Sequence, residues 1–170
     1  MDFKQHLYDT VKEWELKIGY QKEAMQLYYP KESLQDLLGA EEGQLASALE
    51  KVTEELQSEL GKLYISKLED NRFCIRIPSE GVEYIHTNIA TSPFLKAFLE
   101  MIVLPNTTLD DIEKLFYQFS SQVNIQKVEE SARGFWFQDE TIDPYVYYIE
   151  QEEFGIQYHR FTRSEYKKNM

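Results

Sequence analysis

Apolar residues recur at helical spacing in the first twenty positions of the chain. Phe3, Leu7, Val11, Trp14 and Ile18 are separated by four, four, three and four positions, with charged residues between them. This spacing places all of these side chains on one face of an α-helix. The sequence therefore predicts an N-terminal amphipathic helix whose apolar face packs against the rest of the protein.

The helical period returns in four later segments that begin or end at residues typical of helix termini. The predicted helices cover residues 31–38, about 41–60, 92–104 and 108–119. Gly39 and Gly61 stand where C-caps belong, and Ser92 places a capping hydroxyl before a proline at the first helical position. Thr108 and Asp111 have the spacing of a capping box.

From residue 62 the apolar period changes to two, which indicates β-strands. Residues 63–69 and 72–77 flank Asp70-Asn71, a pair that tolerates the positive φ of a two-residue hairpin turn. That turn would place Tyr64 opposite Ile77. Residues 24–29 are predicted to form another short strand.

Four further strands are predicted near the C-terminus, over residues 123–130, 134–138, 145–152 and 156–162. Glu153-Phe154-Gly155 fits the common three-residue hairpin connection, a type I turn followed by a left-handed glycine. This turn would pair Tyr148 with Arg160 and Tyr147 with Phe161. Odd-numbered positions from 145 to 161 are then predicted to point inward and even-numbered positions outward.

These elements predict one α+β domain spanning residues 1–170, whose length is typical of a single domain. The expected architecture is an antiparallel sheet of five or six strands, with the helices packed mainly on one face.

The charge of the chain narrows the classes of partner. Its formal net charge is −12 and its pI is near 4.7, which creates a potential that repels phosphate backbones and anionic lipids. We therefore expect neither nucleic acid nor a membrane as a partner. Because Cys74 is the only cysteine and no apolar secretory signal opens the chain, the sequence predicts a cytoplasmic protein.

Sequence motifs for catalysis and metal binding are absent. The chain has no glycine-rich phosphate loop, GxSxG, HExxH or paired-cysteine motif, so no cofactor is predicted and a non-enzyme is favoured. The histidines are far apart in sequence and lack metal-ligand spacing. Asp139, Glu140 and Asp143 lie in one loop but lack the spacing and central glycine of an EF-hand, so no metal site is predicted.

Cys74 lies between Arg72 and Arg76 on the predicted central ribbon. Two guanidinium groups could lower the pKa of the thiol and create an anion-reactive site. A small apolar residue under a packing layer is the alternative, which we favour because free cysteine is among the most buried residue types.

Aromatic residues are unusually frequent in the C-terminal strands, and one sheet face cannot bury all of them. Tyr148 opposite Arg160, with Trp136 and Tyr158 nearby, would form an amphipathic patch of the kind enriched at protein interfaces. We therefore predict a non-enzymatic binding or regulatory module that uses this patch to bind a protein partner or a second copy of itself.

The alternative function is a small-molecule site or hydrolase built from His159, Asp143 and Arg160. General acid–base chemistry would require the imidazole and a carboxylate within hydrogen-bond reach. The predicted register puts His159 on the inward face beside Ile149, where a histidine is more often a core residue than a catalyst.

Three segments resemble a known family. Residues 92–95, 142–147 and 158–163, which read SPFL, IDPYVY and YHRFTR, are similar to a family of bacterial proteins from gut-type Firmicutes that is known only as a domain of unknown function. The resemblance implies a stand-alone bacterial cytoplasmic domain. It implies no site, cofactor or activity.

Overall fold

The chain divides into two compact units, each of which has its own antiparallel sheet. The computed structural model describes residues 1–169, with the first unit at Met1–Ala90 and the second beginning at Thr91. Helices and strands are both abundant, and every strand pair is antiparallel. The predicted α+β class with antiparallel pairing is confirmed.

The first unit contains helices on one side of a three-stranded sheet. The helices are α1 (Phe3–Ile18), α2 (Lys31–Leu38), α3 (Leu45–Leu60) and α4 (Ser79–Asn88), with a 3₁₀ turn at Glu42–Gln44. The strands are β1 (Met25–Pro30), β2 (Tyr64–Lys67) and β3 (Arg72–Ile77). The spatial order is β1-β3-β2, so β3 is central.

Helix α1 confirms the predicted N-terminal amphipathic helix, although its apolar stripe is only partly buried. The Asp2 carboxylate caps the helix by accepting a hydrogen bond from the Gln5 backbone N–H at 2.8 Å. Phe3, Leu7 and Val11 are buried, whereas the later stripe residues Trp14 and Ile18 are 42% and 58% exposed. The stripe therefore reaches the core only over the first turns of the helix.

The core of the first unit lies between its helices and one face of the sheet. Leu27 and Tyr29 of β1 and Ile75 and Ile77 of β3 are buried with the apolar faces of the helices. The alternate positions of β1, beginning at Gln26, are exposed. The sheet therefore has one covered face and one face open to solvent.

The hairpin that joins β2 and β3 is confirmed, but its predicted register is wrong by one residue. Tyr64 pairs with Arg76, and the Leu68 N–H donates to the Arg72 carbonyl at 2.8 Å. Three residues therefore form the turn, and the last of them, Asn71, adopts a φ of 66°. A one-residue shift moves every β2 side chain to the other face, so Tyr64 lies outside.

The second unit contains a four-stranded sheet in the order β4-β5-β6-β7. Its strands are β4 (Val123–Glu129), β5 (Ala132–Phe137), β6 (Tyr145–Glu152) and β7 (Gly155–Thr162). Its helices are α5 (Pro93–Ile102), α6 (Leu109–Phe119) and α7 (Arg163–Lys168). The prediction of one sheet of five or six strands is therefore wrong, because the strands separate into a group of three and a group of four.

Local capping explains why α5 and α6 begin where the sequence predicts. The Ser92 hydroxyl accepts from the Leu95 N–H at 3.1 Å. Thr108 and Asp111 form a capping box, in which each side chain accepts a hydrogen bond from the other residue's backbone N–H. Both predicted helix starts are confirmed.

Helices α5 and α6 cover one face of the second sheet, which we call the inner face. Phe94 of α5 and Phe116 of α6 pack edge-on or tilted against Phe137 and Tyr147 of the strands, at ring separations of 4.6 to 5.8 Å within the group. The short helix α7 places Tyr166 on the opposite, outer face above Gly134. The rings of the inner face form the core of this unit.

Candidate binding surfaces of the second unit

The turn between β6 and β7 determines which side chains share a face in the C-terminal hairpin. Glu152 pairs with Gly155, so the turn consists of Glu153 and Phe154 alone. The predicted three-residue turn is therefore wrong. Gly155 adopts a φ of 138°, a conformation that side-chain-bearing residues rarely adopt, which explains the glycine at this position.

The shorter turn moves β7 by one residue against the prediction. Tyr147 pairs with Arg160, and Tyr148 pairs with His159. The prediction for β6 is correct, because Tyr147 and its odd-numbered neighbours in the strand are buried. The prediction for β7 is wrong, because its even-numbered positions share the inner face while Phe161 lies on the outer face.

The predicted aromatic and arginine patch is consequently divided between the two faces of the sheet. Trp136 and Tyr148 lie on the outer face and are half-buried. Tyr158 and Arg160 lie on the inner face, where the Tyr158 ring packs 5.1 Å from the ring of Phe98. The predicted patch depended on the pairing of Tyr148 with Arg160, which does not occur.

A polar cluster stabilises the start of β6 on the inner face. The buried carboxylate of Asp143 accepts from the Tyr147 hydroxyl at 2.7 Å and from the Tyr145 N–H at 2.9 Å. The Arg160 guanidinium lies 4.2 Å from the centre of the Tyr145 ring and hydrogen-bonds to the Tyr147 hydroxyl. Burial, reinforced by the Asp143 charge, raises the pKa of Tyr147 well above its usual value.

The structure brings together two of the three residues of the predicted acid–base site. Asp143 and Arg160 both contact Tyr147, but His159 lies on the outer face and is exposed. The predicted inward position of His159 is therefore wrong. Its ring faces Phe161, 6.1 Å away, and this geometry does not place the imidazole beside Asp143.

The remaining acidic residues of the 139–143 loop interact with separate protein groups. Asp139 accepts from the backbone and hydroxyl of Thr141, and Glu140 forms an ion pair with Arg163 at 3.4 Å. Within residues 1–169, no group of three or more candidate ligands could hold a metal ion.

The outer face is partly covered by Tyr166 of α7. Its ring lies 5.7 Å from Trp136 and 6.2 Å from Phe161, and its hydroxyl donates to the Gln126 side chain. Gly134 permits this position, since a Cβ there would lie only 3.1 Å from the Tyr166 Cζ atom. Tyr166 therefore covers part of the aromatic outer face.

A different apolar surface is open at the tip of the C-terminal hairpin. Phe154 is 95% exposed, and Val103 and Leu104, just after α5, are 78% and 59% exposed. These side chains line one cavity of about 320 Å³, which we call the hairpin-tip cleft. Its complete lining is Ile102, Val103, Leu104, Pro105, Asn106, Glu152, Phe154, Gly155, Ile156 and Gln157.

Local hydrogen bonds hold the wall of the cleft that follows α5. The Thr107 hydroxyl bonds to the Met101 and Leu104 carbonyls at 2.9 and 3.1 Å, and Asn106 has a φ of 65°. The Leu109 N–H donates to the Gln151 side chain at 3.0 Å, which ties the start of α6 to β6. The loop therefore presents its apolar residues against the hairpin as an ordered surface.

The apolar periodicity of the sequence does not indicate this cleft. The sequence predicts Phe154 as a turn residue and predicts Val103 and Leu104 as the end of a helix. The available signal was a large apolar side chain in a tight turn, where neighbouring strands cannot bury it. Such an exposed group of apolar residues often marks an interaction site.

The two sheets, the helices that cover them and the cleft define an α+β protein with exposed apolar residues at the tip of its C-terminal hairpin. The chain belongs to the family described as a domain of unknown function, E. rectale Gene description (DUF3877), whose model matches residues 1–170. No curated protein and no solved structure gave a significant match. Within residues 1–169, no helix combines the length and apolarity needed to cross a bilayer.

Proposed function

We propose that the chain is a non-enzymatic, cytoplasmic bacterial binding module that holds an apolar segment of a partner protein in the hairpin-tip cleft. The observation that carries this proposal is the 95% exposure of Phe154 beside two other exposed apolar residues. Burial of a large apolar side chain contributes about 1.5–3 kcal/mol, so a partner that covers Phe154 would gain substantial binding free energy.

The charge around the cleft favours a particular class of partner. Glu152 is the only charged residue among the lining residues, and Glu153 precedes Phe154 in the turn. An apolar segment that also carries lysine or arginine would therefore complement the cleft. A second copy of the chain would bring the same glutamates together, which disfavours self-association at this surface.

Site-specific photocrosslinking tests the proposal directly. Benzoylphenylalanine incorporated at position 154 should crosslink in native cells to a partner protein. The crosslinked site on that partner should be an apolar segment that contains basic residues. The purified partner should then bind the wild-type chain, and Phe154→Ser should weaken binding at least about tenfold, equivalent to about 1.4 kcal/mol. Titration calorimetry would measure this loss.

Tyr117→Ser is the matched control, because Tyr117 is also an exposed aromatic residue of the second unit, at 47%. It should leave binding unchanged, and circular dichroism should show that both variants remain folded. Equal binding by wild type and Phe154→Ser would overturn the proposal. An adduct with a second copy of the chain would also contradict it.

A further inference from the structure

The open face of the first sheet carries two exposed tyrosines. Tyr28 on β1 and Tyr64 on β2 are 52% and 53% exposed. They flank the central strand β3, whose outward residues Arg72 and Arg76 are exposed and whose Cys74 is buried between them. We call Tyr28, Tyr64, Arg72, Arg76 and the adjoining Lys62 the basic sheet face.

The strand register arranges these side chains around a shallow centre. Tyr64 pairs with Arg76 in one row, and Tyr28, Cys74 and Ser66 form the next row. Neighbouring strands are about 4.8 Å apart, so the two tyrosines stand on opposite sides of β3 at diagonal positions. The small side chains of Cys74 and Ser66 leave the lowest part of the surface between the rings.

Cations accompany both rings. The Arg72 guanidinium lies 5.5 Å from the centre of the Tyr28 ring, and the Lys62 ammonium lies 5.4 Å from the centre of the Tyr64 ring. Arg72 is also paired with Asp70 at 2.6 Å. Arg76 and Lys62 form no ion pair with any carboxylate in the described part of the chain.

Unpaired cations grouped on one face are notable in a chain whose net charge is −12. Carboxylates outnumber cations over the molecule as a whole, yet Arg76 and Lys62 face solvent beside exposed aromatic rings. Tyrosine and arginine are the residue types enriched at the energetic centres of protein interfaces. The charge and composition of this face therefore complement an anionic protein surface.

We propose that the basic sheet face binds an acidic segment of a partner protein. Carboxylates of that segment would pair with Arg76 and Lys62, and an apolar side chain would rest over Cys74 between the tyrosine rings. This proposal is independent of the hairpin-tip cleft, which lies in the other unit and takes a partner of opposite charge.

A protein segment fits this face better than a nucleic acid does. Single-stranded nucleic acids bind through bases that stack on free aromatic rings and through a continuous cationic track. Here one side of each ring is taken by Arg72 or Lys62, and Arg72 is neutralised by Asp70.

Fluorescence anisotropy with a defined probe tests this assignment. The probe is a short fluorescein-labelled peptide of glutamates around one central leucine, and its lysine analogue is the peptide control. The acidic peptide should bind the full chain at low salt, and affinity should fall as salt is added. Arg76→Gln should weaken binding about three- to tenfold, whereas Lys51→Gln, which removes an exposed charge from α3, should not.

The single cysteine localises the bound peptide. Cys74 lies at the centre of the face and is 8% exposed, so bound peptide should slow its alkylation by iodoacetamide. Tyr64→Ala should remove this protection, and circular dichroism should confirm that the variant is folded. Because no other cysteine is present, the rate reports this face alone.

Several outcomes would overturn the assignment. These are absence of peptide binding at low salt, equal losses in Arg76→Gln and Lys51→Gln, and alkylation of Cys74 that is insensitive to saturating peptide. Tighter binding of a single-stranded oligonucleotide that displaces the peptide would also overturn it, because the face would then serve nucleic acid.

Discussion

Tyr147 connects the polar cluster of the second unit to its aromatic core. Its ring packs against Phe94, Phe98 and Phe116, while its hydroxyl donates to buried Asp143 at 2.7 Å. One side chain therefore contributes both apolar contact area and the hydrogen bond that the carboxylate needs. The two contributions can be separated by removing the hydroxyl alone.

Tyr147→Phe should destabilise the protein by about 1–3 kcal/mol, because it leaves a buried carboxylate without one of its donors while it keeps the ring. Urea unfolding would measure the loss. Tyr28→Phe is the matched control, since the Tyr28 hydroxyl lies on an exposed surface and bonds only to Gln26. A Tyr147→Phe protein as stable as Tyr28→Phe would show that the hydrogen bond contributes little.

Burial also makes the contribution of Tyr147 depend on pH. Its pKa is raised in the folded protein, so the neutral phenol is favoured there relative to the unfolded chain. The associated stability is fully present below the ordinary tyrosine pKa of about 10 and is lost as pH rises above it. Alkaline destabilisation should therefore be smaller in Tyr147→Phe than in the wild-type protein.

Gly81 allows helix α4 to approach the end of helix α3. A Cβ at this position would lie 2.8 Å from the Ile77 side chain and would overlap the Leu60 carbonyl oxygen. Neither a backbone carbonyl nor a buried isoleucine can move away at low cost. The approach of the two helices therefore depends on the missing side chain.

Gly81→Ala should destabilise the protein by about 1–3 kcal/mol, the usual range for overpacking. This direction is opposite to the effect expected from helix propensity, by which alanine exceeds glycine by about 1 kcal/mol. Gly43→Ala is the control, because a Cβ there would meet no atom within 4 Å. Thermal unfolding would measure both variants. An increase in the unfolding temperature of Gly81→Ala as well as Gly43→Ala would contradict the predicted overpacking at position 81.

The helices were predictable because their signals are local. Ser92 and Thr108 cap α5 and α6 as expected, and the Phe3, Leu7 and Val11 spacing identified α1. The predicted registers of both hairpins were wrong for one physical reason, because the length of a turn determines the register of the strands that it joins. The first turn contains Glu69 in addition to the predicted Asp70 and Asn71, and the second turn lacks the predicted Gly155. These two changes reversed the side chains of β2 and β7.

The division into two sheets could not be read from sequence patterns, and the local signal of the candidate site was one large apolar residue, Phe154, in a turn. Strand β1 pairs with β3 across two helices, and alternation of side chains does not specify such distant partners. Arg160 pairs with Tyr147, and not with Tyr148 as predicted, because the turn between β6 and β7 contains two residues and not three. Apolar periodicity identifies buried faces, so it does not indicate an exposed side chain such as Phe154.

The prediction of a single domain implies that the entire chain unfolds cooperatively. Each of the two compact units has its own sheet and buried residues. We nevertheless expect one unfolding transition, because the total length is typical of one domain. Calorimetry of Gly81→Ala and Tyr147→Phe tests this, since the two substitutions lie in different units.

Both variants should lower the temperature of the same single transition. Agreement between the calorimetric and van't Hoff enthalpies would support two-state unfolding. If instead two transitions appear, with Gly81→Ala shifting one and Tyr147→Phe the other, the chain contains two domains. Gly43→Ala again serves as the control for a substitution that introduces no overlap.

Strand β7 forms one edge of the four-stranded sheet, so its outer backbone groups could pair with a foreign strand. Natural sheets discourage such growth by directing a charged side chain inward from an edge strand. Arg160 has this position, with its guanidinium held over Tyr145. The arginine that stabilises the hairpin is thus also suited to protect the protein from fibrillar aggregation.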